Sequence, residues 1–554
     1  MWRSVLLAII AGLFLTISWP SIGFPGLLFV AFVPLIILEK QFSDAPFRRK
    51  SLKIFLLSWL AFFIWNALAY RWLFYARPPV NPTSLEIQQA WIAYFFPVIL
   101  NSLFMAIIFI LYHKIRNKHG QLYGFLFLPT FWMAFENLHL NWDFMWPWLN
   151  LGNGFASYYK WVQWYELTGT FGGTLWVWIA NLFLFKAILL YLEHGDKKLM
   201  RKLYIAFALV VLVPIGISYV MYFNYEEKGE EINIVLLQPD LDPYHEKYVK
   251  SSQEIVEEII SIGDKVVTNQ TDLILTPETS FPGSEAVILN DMNSDPSIQA
   301  LRDWISNYPD VVLVAGTSLI EFTNASQAPN ITSIPYNSNM WINSYNSTIQ
   351  LENSNDSIPS YHKSKLVVGV EYFPYPTIFK PLLGSVMLDF GGSTNSLTKS
   401  NKAKVFTNRQ NSAKIAPTIC YESIFGEYTS EFVKEGANLI AISTNDSWWG
   451  DTDGHRQFLD YARLRAIENR RSVARSANSG ISAFINQRGD IVQRLEYGKQ
   501  GSLVGSLKMN TKITNYTIAG DFLSRIALII SGIILAYFIV DRIFNKERKS
   551  EYEN

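Results

Sequence analysis

Apolar positions follow two different patterns along this chain. From Met1 to about Tyr225 they form long uncharged runs, whereas from about Asn224 to Gly520 they mix with polar residues on the short periods of strands and helices. One more apolar run and a basic tail follow. Runs of the length that crosses a bilayer, about 20 residues, cover 4–19, 26–39, 54–75, 87–112, 121–138, 167–192, 203–225 and 522–540, which predicts eight transmembrane helices. The first run follows Arg3 as a signal peptide's core would, yet "SWPSIGFPG" offers no small-x-small cleavage site, and the run reads as a retained span.

Between the seventh and eighth runs the pattern alternates. "INIVLLQPD" (232–240), "DLILTPET" (272–279), "VVLVAGTSLIE" (311–321), "KIAPTIC" and "ANLIAISTN" read as strands. "YVKSSQEIVEEIISIGDKVV", "SIQALRDWISNYP", "YESIFGEYTSEFVKEG" and "RQFLDYARLRAIENRRS" carry helical periodicity. Residues 322–360, rich in Asn, Ser and Thr, read as a hairpin with irregular loops, and "SGISAFINQRGDIVQRLEYG" as a second hairpin. Strands alternating with helices define an α/β unit. The chain therefore divides into a membrane part with seven helices over 1–225, an α/β domain over 226–518, and an eighth helix with a basic tail over 519–554.

Charge adds an orientation. Lys+Arg and Asp+Glu both number 47, so no basic excess points to nucleic acid. Lys40, Arg48, Arg49, Lys50 and Lys53 fill the second connection, Lys114, Arg116 and Lys118 the fourth, Lys197, Lys198, Arg201 and Lys202 the sixth, and Arg542, Lys546, Arg548 and Lys549 the tail. The positive-inside rule then predicts cytoplasmic termini and an α/β domain on the outer side. Two charges among the spans invite a reading, Glu136 near the end of the fifth run and Lys186 inside the sixth; the first is expected to be hydrated near the outer interface and the second to snorkel. Trp146, Trp148 and Trp164 are expected in an interfacial belt.

The 554-residue chain has one cysteine, Cys420, which forms no intramolecular disulfide. It ends a predicted strand and opens a predicted helix, a place that favours a thiolate nucleophile; buried filler is the plainer reading of a lone cysteine. A nucleophile needs a base and an oxyanion partner. Glu278 in "LTPETSFPG" ends another strand, and Lys363 in "YHKSKLVVGVEYFPY" opens one; either residue alone also reads as a solvated surface charge.

These residues stand in motifs. "PET" (277–279), "YHK" (361–363) with "EY" eight residues after the lysine, "ICYES" (419–423), "STNDSWWG" (443–450), "HRQFLDYARLRAIENRR" (455–471) and "RSANSG" (475–480) resemble the nitrilase, or carbon-nitrogen hydrolase, superfamily. With "FWMAFENL" and "WPWLNLGNG" (146–154), the chain over nearly its full length is similar to the apolipoprotein N-acyltransferase family. The resemblance implies eight spans with a nitrilase-like α/β sandwich facing the periplasm of a bacterial inner membrane. It implies Glu278 as general base, Lys363 as electrophilic partner and Cys420 as nucleophile, with Glu371, Tyr421 and Glu422 in supporting or substrate-binding roles. The reaction it implies runs through a Cys420 thioester, from the sn-1 chain of a phospholipid, chiefly phosphatidylethanolamine, to the α-amino group of a diacylated lipoprotein. The partners are then a phospholipid donor, a diacylated lipoprotein acceptor and the bilayer, without nucleic acid.

The chain departs from the family in two places. "LVVGV" stands between Lys363 and Glu371 where many relatives have Pro-Phe-Gly, and "QPDLDPYHEKY" offers Tyr244 and Tyr248 where relatives place a loop tryptophan. Residues 372–390, apolar and Pro-interrupted, read as a lid at the membrane surface or as a loop packed on the sheet. The same three residues would serve a membrane-tethered amidase that passes its thioester to water, and a transporter or receptor that only binds ligand is the remaining class. His245, His362 and His455 show no metal-ligand spacing and no nucleotide-binding glycine pattern occurs, so no metal and no cofactor are expected.

Overall fold

The computed structural model describes residues 2–44, 48–353, 357–375, 377–378, 396–408 and 411–553, with side chains to residue 543. Most of the expected lid over 372–390 lies outside the described residues.

All eight apolar runs are helical. They form α1 (Trp2–Ile17), a 3-10 turn (Pro25–Phe29) leading to α2 (Val33–Asp44), α3 (Lys50–Ala69), α4 (Ser84–His119) and α5 (Gln121–Asn141). A four-residue turn, α6 (Tyr165–Thr168), precedes α7 (Thr170–Leu192) and α8 (Lys197–Asn224). Six helices are long and apolar enough to cross a membrane by length and composition, among them Pro25–Asp44 and Phe522–Ile543; Trp2–Ile17 is a shorter apolar helix and α5 is not among the six. The protein is thus a multi-pass membrane protein, and the expected number of eight spans is not reached on those criteria. Thr83 and Glu86 close a capping box that starts α4.

The α/β part is built on two sheets. The first holds β1 (Glu230–Gln238), β2 (Leu273–Leu275), β3 (Val287–Ile288), β4 (Val312–Asn324), β5 (Ile334–Asn337), β6 (Met340–Leu351), β7 (Ser360–His362) and, from the end of the domain, β14 (Gly501–Met509). Its order is β14-β1-β2-β4-β6-β5, with β3 on β4 and β7 on β6. The second holds β8 (Phe406–Thr407), β9 (Lys414–Ile419), β10 (Leu439–Thr444), β11 (Ser472–Ala477), β12 (Ser482–Ile485) and β13 (Ile491–Leu495), ordered β13-β12-β11-β10-β9-β8.

The central strands β2, β9, β10 and β11 are almost wholly buried, as parallel strands covered on both faces must be. The two sheets face each other, tied by Ser443 Oγ donating to the Thr276 carbonyl (2.8 Å) and Ser476 Oγ to the Leu237 carbonyl (2.8 Å). Helices α9 (Ser252–Gly263) and α10 (Pro296–Ile305) cover the outside of the first sheet. Ser251 caps the former with Glu254, and Asp295 caps the latter ahead of a proline at its first turn. α11 (Gly426–Lys434) and α12 (Asp453–Asn469) belong to the second sheet's outer side, before α13 (Asn515–Ala519) and the last helix α14 (Phe522–Glu553).

α12 joins the two halves of the molecule. Trp148 Nε1 donates to Gln457 Oε1 (2.7 Å), Tyr461 Oη to the Trp148 carbonyl (3.0 Å), and Trp19 Nε1 to Tyr461 Oη (3.2 Å). One hydrophobic core accordingly runs from the membrane helices into the second sheet.

Several expectations need correction. The helix expected from residue 421 begins at Gly426; Cys420–Ile424 form one 3-10 turn. β14 was not expected, although it pairs with β1 over its full length. Glu136 is buried rather than hydrated: it accepts from Trp132 Nε1 (3.1 Å), the Leu151 N–H (2.7 Å) and Thr174 Oγ1 (2.7 Å), tying α5 to α7. Trp146 and Trp148 form no belt; they stack 6.3 Å apart in the seam between the two halves. Lys186 reaches Gln121 Oε1 (3.3 Å).

Candidate active site

Three chain reversals bring the chemistry together. Glu278 follows β2 in a turn whose next residue, Thr279, has a left-handed φ of 44°, and Cys420 follows β9 with a φ of 46°. Non-glycine residues in this region store strain of about 1–3 kcal/mol, and such strain gathers at functional sites. β4 makes room for the first turn with Gly316: a Cβ there would lie 2.1 Å from the Pro277 carbonyl oxygen and 2.9 Å from Glu278 Cα. Lys363 follows β7, where its N–H donates to the Asn346 carbonyl (2.8 Å).

Lys363 Nζ then bonds two carboxylates, Glu278 Oε1 at 2.7 Å and Glu371 Oε1 at 2.9 Å. Asn346 Nδ2 donates to the same two oxygens, at 2.7 and 2.8 Å. Glu371 reaches this point because residues 367–372 turn back on themselves: its N–H donates to the Val367 carbonyl, its Oε2 accepts from the Val367 N–H, and Gly369 takes a φ of 80°. "LVVGV" therefore preserves the eight-residue approach. On the far side of Glu278, Lys247 Nζ donates to its carbonyl oxygen (2.8 Å) and to Thr279 Oγ1 (2.8 Å).

Electrostatics sort these groups. Burial works against the Lys363 ammonium, but Glu278 and then Glu371 hold its pKa well above the ordinary lysine value. Burial alone would raise Glu278; Lys363, Lys247 and the Asn346 bond outweigh it and hold the carboxyl below its usual range. Burial, followed by the Glu278 charge, pushes the Cys420 thiol up, with Lys363 pulling the other way. The resting site is thus a neutral thiol beside a carboxylate–ammonium pair. The thiolate expected from a helix start does not form at rest, since a single 3-10 turn offers little dipole and the sulfur is desolvated.

Glu422 is sealed off from this set. Its Oε1 accepts from Tyr361 Oη (2.6 Å), the Ser364 N–H (2.6 Å) and the Lys365 N–H (3.3 Å), and its Oε2 from the Ile419 N–H (2.8 Å). It braces the segments that carry Lys363 and Cys420, and burial raises its pKa to about 7. Tyr421 anchors to the membrane part, its Oη donating to the Met145 carbonyl (2.8 Å).

Glu278, Lys363, Glu371, Cys420 and Tyr421 line one cavity of about 710 Å³; Glu422 does not. Its opposite walls come from the membrane part: Ile92, Phe96 and Leu100 of α4, with Leu73, Trp146 and Trp148. Tyr248 lines it too, stacked on Trp448 at 6.2 Å. Tyr244 instead donates to the Trp448 carbonyl and lines a second cavity, of about 1090 Å³. His362 and His455 stack on Tyr345 and Tyr497, outside the main cavity.

Sequence reasoning missed Asn346, Lys247 and Asn445. The first lies in a stretch read as a hairpin with irregular loops, in which no residue was singled out; β6 pairs with β4 along its whole length, and the alternation of faces aims Asn346 inward. Lys247 sits in a turn with no periodic signal. Asn445 ends the expected strand "ANLIAISTN" and stands in "STNDSWWG", but no role was read from it.

Comparison with known proteins places this α/β part in a family. The carbon-nitrogen hydrolase family profile matches residues 232–512, just over half of the chain, and the chain belongs to that family. A second profile, the apolipoprotein N-acyltransferase N-terminal domain, matches residues 11–183. Along nearly the whole length the chain is similar to curated apolipoprotein N-acyltransferases. That of Chlorobaculum tepidum is 27% identical, with 95% of each chain covered. Apolipoprotein N-acyltransferase 1 of Treponema denticola is 25% identical, over 98% of this chain and 97% of its own. An amidase from Nesterenkonia sp. aligns with 51% of this chain and 93% of its own, at 16% identity and a TM-score of 0.35.

Proposed function

We propose that the protein transfers an acyl chain from a membrane phospholipid, chiefly the sn-1 chain of phosphatidylethanolamine, to the α-amino group of the S-diacylglyceryl cysteine of a lipoprotein. The observation that carries the reading is the composite cavity: its reactive wall is the carbon-nitrogen hydrolase site and its facing wall is made of membrane-part side chains. A pocket for small soluble amides has no need of the second wall.

In the first half-reaction Glu278 takes the Cys420 proton as the sulfur attacks the ester carbonyl. The oxyanion is met by the Tyr421 N–H and the Lys363 ammonium. When the tetrahedral adduct collapses, the C–O bond breaks and Glu278 hands its proton to the departing glycerol oxygen. Lysophospholipid leaves and a thioester stays on Cys420. In the second half the lipoprotein amine attacks that thioester and loses its proton to Glu278. The C–S bond breaks, the proton returns to sulfur, and an amide is released. One nucleophile and one cavity make the order ping-pong.

Glu371 and Asn346 position Lys363, and Glu422 positions the two strand ends. The neutral resting thiol suits a site that meets its substrate in lipid, because attack and deprotonation then coincide and no reactive thiolate waits in the cavity.

We assign 1–225 and 519–554 to the membrane and 226–518 to the periplasm of the inner membrane, with both termini cytoplasmic. Basic connections gathering at one end of the bundle support this. Lys118 pairs with Asp541, and Arg116 with Glu39, while Arg71 pairs with Asp453 of the α/β part at the opposite end.

The test is intact mass after incubating the detergent-solubilised protein with phosphatidylethanolamine alone, then with a diacylated lipopeptide. An acyl mass on the Cys420 peptide, released by neutral hydroxylamine and discharged to the lipopeptide amine, is the expected result. Release of free fatty acid with no amide product would make the protein a hydrolase instead.

A further inference from the structure

Asn445 is 1% exposed, lies directly after β10 and lines the main cavity together with Cys420 and Tyr421. Its Oδ1 is fully used: it accepts from Ser447 Oγ (2.7 Å), the Ser447 N–H (3.4 Å) and Asn478 Nδ2 (3.3 Å). A backbone N–H can only donate, so these bonds decide which end of the amide is oxygen. The Nδ2 end is buried and has no partner among the described residues. Asn478, packed against it, is satisfied at both ends: its Nδ2 donates to the Leu241 carbonyl and its Oδ1 accepts from the Leu241 N–H.

An unpaired buried amide donor is costly. Its register says what could repay that cost. β9 and β10 run parallel, Ile419 opposite Ser443 at their last rung. Thr444 ends β10 beside Cys420, and Asn445 leaves β10 where Tyr421 follows Cys420 out of β9, which puts the free N–H of Asn445 on the nucleophile's side of the cavity.

We propose that Asn445 Nδ2 is a third donor to the oxyanion, beside the Tyr421 N–H and the Lys363 ammonium. This rests on the reading of Cys420 as nucleophile. The ligand it takes is the carbonyl oxygen of an acyl ester or thioester as negative charge develops on it. At rest the donor is unmatched; its bond to the carbonyl oxygen forms in the acylated site and strengthens as negative charge develops in the transition state, so it accelerates reaction more than it tightens substrate binding.

The test uses the full-length solubilised protein and two acyl donors, phosphatidylethanolamine and a ¹³C-carbonyl-labelled p-nitrophenyl ester. Asn445→Asp keeps the acceptor for Ser447 and Asn478 while removing the donor; Asn445→Ala removes both. Both are expected to slow acylation of Cys420 by about 10²–10³-fold with little change in KM. The infrared band of the labelled thioester carbonyl should move to higher wavenumber in both, because the carbonyl is no longer polarised by that bond. An Asn445→Asp variant with wild-type acylation, or an unshifted band in either variant, would overturn the proposal and leave Asn445 as a turn residue. If the p-nitrophenyl ester acylates wild-type Cys420 and the phospholipid does not, the donor assignment fails while Asn445 is still judged by the band. If neither reagent acylates Cys420, both readings fall.

Discussion

Glu278 follows β2 while Glu422 shares the 3-10 turn of Cys420, and their surroundings are inverse. Glu278 has an ammonium on its carboxylate and a second one on its own backbone carbonyl, faces a cavity, and is held ionised. Glu422 is closed in by N–H and O–H donors at four points and is pushed to about 7 by burial. Both are buried glutamates close to Cys420 in sequence or space. What separates the proton-carrier role proposed for Glu278 from the strut-like bracing by Glu422 is open volume beside the carboxylate and a cation to keep it charged; burial distinguishes neither.

The largest effects test the carrier. Cys420→Ala should abolish acyl transfer, and Glu278→Gln should lower acylation by about 10²–10⁴-fold, with melting temperatures near wild type; wild-type transfer by either variant would show the roles to be misassigned. Glu371→Gln comes next. It frees Lys363 from one of its two carboxylates, and acylation measured by mass should fall by about 10²-fold, whereas an unchanged rate would mean that Glu278 and Asn346 alone hold the lysine.

Lys247→Met makes Glu278 more like Glu422. Removing one cation should raise the carboxyl's pKa, so the acid limb of the pH–rate profile should move upward while the rate at its plateau drops less than about 10-fold. An acid limb that stays in place would assign Lys247 to holding the turn only.

The smallest effect belongs to the strut. In the folded protein Glu422 keeps its proton to about pH 7, and the unfolded chain loses it near 4.5. The folded state therefore binds more protons between those values, so stability declines as pH rises through that window and levels off above it. Glu422→Gln cannot titrate, and its stability relative to wild type should climb across the same window in thermal melts. A difference that is constant with pH would contradict the raised carboxyl.

Much of this was legible in the chain itself. Buried strands such as 272–279 and 311–321 announced themselves by apolar runs, and the strand ends carrying Glu278 and Cys420 lay where those runs stop. The 3-10 turn after Cys420 was not legible, because "YESIFGEYTSEF" has helical periodicity throughout; Glu422 bonding back to the Ile419 N–H and the restart at Gly426 override it locally. Gly426 is required there by packing, a Cβ lying 2.6 Å from Tyr516 Oη. β14 escaped because "GSLVGSLKM" is half polar, and its strand character comes from pairing with β1 far away in sequence. Asn346 and Lys247 were silent for the same reason: polar residues show no period, and only the folded neighbours reveal what they bond; Asn445 stood in "STNDSWWG", but its bonding too shows only in the fold.

The Tyr421–Met145 bond and the Trp148–Gln457 bond have a bearing on biogenesis. They weld the cavity from segments separated by some 300 positions in the chain. In chain order the membrane wall is made first and the reactive wall afterwards, so the cavity is complete only once the later segment has folded against the earlier one. A chain stalled before Cys420 would carry one wall without the other.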